Sequence, residues 1–181
     1  MRSIRSLWTR GGATYDLPIE RSAEARYRFT LTRDLVSGPR SRGSVLFVML
    51  NPSTATHLKD DPTIRRCISF AHDWLFSRLV ICNLFAWRET DPKLLTRVAD
   101  PTGDPMNENA ILVDALRADL VVCAWGKGGR LRGRGDYIAT RLREAKCDPH
   151  YLRLLDDGEP EHPLYLPRSL RPQPWTIGEP A

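Results

Sequence analysis

The chain alternates short apolar runs with amphipathic stretches. Residues 26–33, Arg-Tyr-Arg-Phe-Thr-Leu-Thr-Arg, change polarity at nearly every step, the period of a strand with one buried face. Gly38, Pro39 and Gly43, set among Arg and Ser, mark residues 37–43 as a turn. Four apolar runs follow: Val45–Leu50, Leu79–Leu84, Leu120–Ala124 and, less clearly, Tyr151–Leu155. Their length and β-branched content suit buried strands.

Between these runs the period changes to that of a helix. Asp61-Pro62 is an N-cap followed by proline at the first helical position, and Ile64, Ile68, Ala71 and Leu75 then share one face. Asn107 suits the cap of a second helix whose Ala110, Ile111, Leu112, Ala115 and Leu116 face inward. A third helix is expected over Gly135–Lys146, with Tyr137, Ile138, Leu142 and Ala145 at helical spacing. Strand alternating with helix implies right-handed crossovers, so the expected fold is a three-layer α/β/α sandwich around a short, mainly parallel central sheet. Residues 1–25 read as an N-terminal extension, 26–170 as a single α/β domain, and 171–181 as a C-terminal tail.

Composition narrows the class of molecule. A chain of 181 residues, 41% apolar and 27% charged, can bury roughly 70% of its extended-chain surface in one core. Even the longest uninterrupted apolar runs, such as Val45–Leu50, fall far short of the ~20 residues of a membrane-spanning helix. No apolar stretch follows the basic start at Met1–Arg5, as a signal peptide requires, so a cytoplasmic protein without a membrane partner is expected. Cys67, Cys82, Cys123 and Cys147 show no C-x-x-C spacing and read as core residues. No resident metal or organic cofactor is expected. The formal charge is +5, carried by 23 Arg and 4 Lys. An Arg-dominated surface fits a nucleic-acid partner or a phosphorylated ligand, and equally a coding bias toward arginine.

In an open parallel sheet the ligand crevice lies beyond the carboxyl ends of the strands, and there the unusual residues collect. Asn51-Pro52-Ser53-Thr54 follows the first apolar run. Asn83 and then Trp87-Arg88 follow the second, Trp125-Gly126-Lys127 the third, and Glu161-His162-Pro163 the fourth. Each has a plainer use. Asn51-Pro52 suits a strand break, Asn83 a satisfied structural amide, and His162 a residue of a Pro-rich loop. The stretch Gly126–Gly135 carries Lys127, Arg130, Arg132 and Arg134, which suit a phosphate or a solvated loop. It matches neither the P-loop nor the dinucleotide fingerprint. Asp60 and Asp61 suit acid/base or metal chemistry as a pair, although Asp61 already serves as an N-cap. The H-x-E and P-C-x-x-C signature of zinc base deaminases is missing from the sequence.

The segments Val48–Ala55, Asp60–Cys67, Asn83–Arg88, Ala124–Gly126 and His162–Tyr165 resemble the bacterial and phage family termed domain of unknown function 1643. More distantly, the layout is similar to the uracil-DNA glycosylase superfamily. Leu50-Asn51-Pro52-Ser53 is similar to the Gly-x-Asn-Pro motif of its mismatch-specific branch, Asn83 to its base-reading Asn, and His162-Pro163-Leu164 to its His-Pro-Ser motif. The sequence departs from the pattern at Leu50 and Leu164, and it lacks the first-motif carboxylate of the most active branch.

That resemblance implies hydrolysis of an N-glycosidic bond at a modified or mismatched base, without cofactor. Asn51 would hold the water, and His162 would donate to the departing base. Asn83 would read the base edge, beside Pro52, Ser53, Trp125 and Gly126. Phe70, Phe85 or Trp87 would supply a stacking surface. Arg65, Arg66, Arg88, Lys127, Arg130, Arg132 and Arg134 would hold phosphates of DNA, another nucleic acid or a nucleotide. Two other classes fit the same residues: a non-catalytic nucleic-acid or nucleotide-binding module, and a hydrolase or transferase acting on a small nucleotide.

Overall fold

A computed structural model describes residues 8–15, 26–36 and 41–176. In chain order the strands are β1 (Trp8–Tyr15), β2 (Arg28–Leu35), β3 (Arg42–Met49), β4 (Phe76–Asn83), β5 (Leu120–Cys123), β6 (Pro149–Tyr151) and β7 (Gln173–Pro174). Helix α1 (Pro62–Asp73) joins β3 to β4, α2 (Met106–Arg117) joins β4 to β5, and α3 (Arg134–Glu144) joins β5 to β6. The spatial order is β1-β2-β4-β3-β5-β6-β7.

The fold is mixed α/β, and its sheet departs from the expected mainly parallel form. The pairs β4–β3, β3–β5 and β5–β6 are parallel, whereas β1–β2, β2–β4 and β6–β7 are antiparallel. Crossover helices explain the division. Each parallel step is served by one of α1, α2 and α3, while the segments before β3 and after β6 reach the sheet edges without one. The sheet also reaches past residues 26–170, because Trp8–Tyr15 pairs along β2 and Gln173–Pro174 pairs with β6. The rest of the expected N-terminal extension, apart from 8–15, lies outside the described residues, as do residues 177–181 of the tail.

Alternation along β3 divides the core. Val45, Phe47 and Met49 pack with Ile64, Cys67, Ile68 and Phe70 of α1. Leu46 and Val48 pack with Ile111 and Ala115 of α2 and with Ile138, Ala139 and Leu142 of α3. All four cysteines are buried and free. Among the described residues no helix is long and apolar enough to cross a membrane.

Several local expectations shift. Asp61 caps α1 as expected, its Oδ1 accepting from Ile64 N at 2.8 Å. The helix ends at Asp73, so Trp74 takes the inward place expected of Leu75, which stands at φ 66° and is exposed. Asn107 is a fully buried residue inside the first turn of α2 rather than its cap. Asp104 Oδ1 meets that turn instead, accepting from Glu108 N. Leu116 and Tyr137, expected to face inward, are exposed.

Candidate functional site

Adjacent parallel strands β3 and β4 end level with one another, Met49 opposite Asn83. The chain leaving β3 turns at once, and Leu84 N and Phe85 N donate to Met49 O and Leu50 O. Beyond these strand ends lies a cleft of about 220 Å³, lined among others by Arg28, Asn51, Asp61, Asn83, Glu89 and His162. Asn51 and Asn83, from adjacent strand ends, and His162, from the turn after β6, thus share one cavity although distant in sequence. Ser53 lines it as well. Its volume lies below the ~300 Å³ at which pockets for drug-sized ligands begin, which suits a ligand of one or two small rings.

Asn83 is only 2% exposed. Its side-chain Nδ2 is buried with no hydrogen-bond partner. A buried amide donor without a partner costs about 1–3 kcal/mol, so a group that could bond it gains by entering the cleft. Its backbone is held firmly. Asn107 Nδ2 donates to Asn83 O at 3.0 Å and Leu84 O at 3.2 Å, and Arg134 Nε donates to Leu84 O at 3.0 Å. Arg134 in turn grips Asp104 with both terminal nitrogens, at 2.8 and 2.7 Å.

Asn51 is half-buried, and its amide hydrogens are spent on its own loop. Nδ2 donates to Glu89 O at 2.7 Å and to Pro52 O at 3.0 Å, while Glu89 N donates back to Pro52 O. This fixes the amide orientation and leaves Oδ1, an acceptor, as the group Asn51 offers to a water or ligand.

His162 opens the 3₁₀ turn Pro163–Tyr165, and its Nδ1 accepts from Leu164 N at 3.4 Å. The acceptor role at Nδ1 places the proton of the neutral ring on Nε2, making that nitrogen a donor. Burial pushes the His162 pKa below its ordinary 6.5, and the Asp61 charge pushes the other way with smaller effect. Gly126 stands behind this residue at φ +68°, a conformation that favours glycine, and a Cβ there would lie 3.5 Å from His162 Cβ.

The loop that carries Asp61 is clamped onto β2. Arg28, 2% exposed, donates through Nη1 to Ala55 O at 2.5 Å. Fully buried Arg33 donates to Thr56 O at 2.6 Å and pairs with Asp60, its Nη2 2.8 Å from Oδ1. Asp60 is therefore tied to Arg33, and of the two expected carboxylates only Asp61 lines the cleft. No group of three or more potential metal ligands occurs among the described residues.

Other expected site residues lie elsewhere. Phe70, Phe85 and Trp125 are buried in the core, Trp125 Nε1 donating to Glu159 Oε2 at 2.7 Å. Trp87 meets Tyr27 edge-on, with ring centroids 5.4 Å apart, and Arg26 lies over its ring. Among the expected phosphate ligands, Arg66 lies over Phe70 and donates to Leu166 O. Arg130 pairs with Asp157 and Glu159, Arg132 donates to Val98 O and Ala99 O, and Arg65 to Asp60 O. Arg88 is half-buried, with its backbone N donating to Arg26 O. Lys127 is exposed beside a second depression that Arg153, Asp156, Asp157 and Glu161 also line.

Two charged cleft residues, Arg28 and Glu89, were not expected. Arg28 stands out of phase with inward-facing Phe29 and Leu31, so alternation alone gives it no role. Glu89 follows the Trp87-Arg88 pair and carries no motif.

A family model described as "Protein of unknown function (DUF1643)" matches residues 28–164. The chain belongs to this family. The matched segment starts at Arg28 and ends two residues past His162, so it spans every cleft residue named above. No curated protein and no solved structure matches the chain.

Proposed function

We propose that the cleft receives one nucleobase of a nucleic acid or nucleotide and hydrolyses the N-glycosidic bond joining it to its sugar. The observation that carries this reading is the buried, unpartnered Asn83 amide in a base-sized cavity that Asn51 and His162 also line. Three segments that resemble uracil-DNA glycosylase motifs thereby meet in one place, which supports a shared architecture around the site.

Breaking the bond leaves positive charge on the sugar and negative charge on the base, and preorganised donors lower the barrier where charge develops. Water adds its oxygen to the anomeric carbon as the C–N bond breaks, and the bonding pair leaves with the base. The water loses one proton and the base gains one. Asn83 Nδ2 reads the base edge, His162 Nε2–H donates to the anionic base, and Asn51 Oδ1 orients the water.

One observation favours a nucleotide-sized substrate as the second reading. Arg66, Arg130, Arg132 and Arg134 are already committed to carbonyls or carboxylates, and Arg134 is buried.

The experiment is incubation with single-stranded and duplex oligonucleotides, and with the matching nucleosides, carrying uracil, hypoxanthine, xanthine or alkylated bases. Alkali reveals abasic sites and chromatography reveals released base. Release by the wild type, lowered about 10²–10³-fold in His162→Ala, is expected. A panel with no release overturns the hydrolytic reading.

A further inference from the structure

We propose that Asp61 is the working carboxylate of this cleft, facing His162 and the sugar side of the scissile bond; the inference rests on the hydrolytic reading above. The N-cap role accounts for one oxygen, Oδ1, on Ile64 N. Asn or Ser satisfies the same N–H about as well as Asp, so the capping hydrogen bond does not itself call for a carboxylate, although its charge also suits the helix N-terminus. Yet Asp61 lies on the wall of the cavity, with Thr63 and Ile64 of the same helix start beside it. The independent sign that this cavity takes a ligand is Asn83 Nδ2, buried there without a partner.

The charged and titratable groups of the cleft come from separate elements. Arg28 comes from β2, Asp61 from the start of α1, Glu89 from the segment after β4, and His162 from the Pro163–Tyr165 turn. Glu161, next to His162 in sequence, is paired with Arg153. Glu89 Oε1 accepts from Thr90 N at 2.8 Å and Asp91 N at 3.2 Å, which draws that carboxylate onto its own turn. The Asp61 charge, in contrast, acts on His162 and opposes the effect of burial there. Asn51 is neutral, with its amide hydrogens committed, so it offers no charge to the sugar.

Asp61 therefore supplies what the Asn51-Pro52 turn lacks. Its negative charge stabilises the cationic sugar as the C–N bond breaks and the electron pair leaves with the base. It takes the proton that the attacking water releases and passes it to solvent, while the base takes up one proton. The sum is one water added across the bond.

The test uses Asp61→Asn and Asp61→Ser, both of which retain a capping side chain, in the full chain. NMR follows the titration of His162, and the oligonucleotide and nucleoside panel follows base release. In both variants the His162 pKa is expected to fall further, because the opposing charge is gone, and release is expected to drop about 10²–10³-fold. A purely structural cap predicts the titration shift as well, since the charge is lost either way, but no drop in release. Unmoved titration, or undiminished release in a folded variant, overturns the proposal. If the wild type releases no base, the hydrolytic reading falls and the Asp61 role falls with it; release by the wild type that is undiminished in both folded variants overturns the Asp61 role alone.

Discussion

Asn83 has an amide donor buried without a partner, a cost that the free protein bears. Asn83→Leu removes the unsatisfied group in a similar volume and is expected to raise stability by about 1 kcal/mol, or ~2–4 °C in melting temperature, while abolishing base binding. A lowered melting temperature with intact binding would show that the amide serves packing. Asn83→Asp, which replaces donors with acceptors, is expected to change which base is accepted. His162 must be neutral to leave Nδ1 free to accept from Leu164, and burial holds its pKa below 6.5. Activity is therefore expected to stay level above pH 6.5 and to fall as pH drops through the lowered value, when the ring charges. The stability that the neutral ring contributes is lost in the same window. A pH–rate profile that instead rises toward acid would contradict this. That Asn51 and Asn83 lie together was legible in the sequence because each stands at the end of an apolar run; His162 was placed beside them through a fourth run, Tyr151–Leu155, of which only Tyr151 belongs to a strand. The places of Phe70, Phe85 and Trp125 were not legible, since an aromatic residue at a strand end or on a helix fits a core as well as a stacking surface.

At the scale of elements, α2 and α3 hold the end of β4 through buried polar groups. Asn107→Ala removes both amide bonds to Asn83 O and Leu84 O, and is expected to cost about 1–3 kcal/mol while weakening base selectivity through a less firmly held Asn83. Urea unfolding and competition between two bases measure the two effects separately. Arg33 and Asp60 clamp the cleft loop in a pair whose side chains are 1% and 6% exposed. Arg33→Met is expected to cost about 3–5 kcal/mol by removing the ion pair to the buried Asp60 carboxylate, and adding Asp60→Leu is expected to recover part of that loss. A loss of less than 1 kcal/mol in the single variant would mean that the clamp is not formed. The central parallel strands were legible because fully buried strands read as unbroken apolar runs between helical periods. The antiparallel flanks were not, because pairing direction depends on how the chain travels between strands, and hydrophobicity alone does not record it. Asn107 is polar and lies just before an apolar face, the usual signature of a cap, so only the tertiary fold reveals that it points into the core.

For the whole molecule, a net charge of +5 does not translate into a basic wall around the cleft. Arg28 and His162 share it with Asp61 and Glu89, while Arg130 and Arg132 hold neighbouring loops together. Joint replacement of Lys127, Arg130 and Arg132 by Gln is expected to leave base binding in the cleft unchanged. The slope of log K against log salt for an oligonucleotide is expected to change by less than about 0.9, the value of one duplex phosphate contact. A flattening of several such units would place these residues on a polymer and favour a nucleic-acid substrate over a nucleotide.

The most direct test of the proposal that the cleft takes a nucleobase is a crystal structure of the protein soaked with uracil, hypoxanthine or xanthine. The expected result is a base in the cavity with an acceptor atom about 3 Å from Asn83 Nδ2 and with His162 in contact. A base bound elsewhere, or a cleft that stays closed to all three while Asn83 Nδ2 remains unpartnered, would contradict the account.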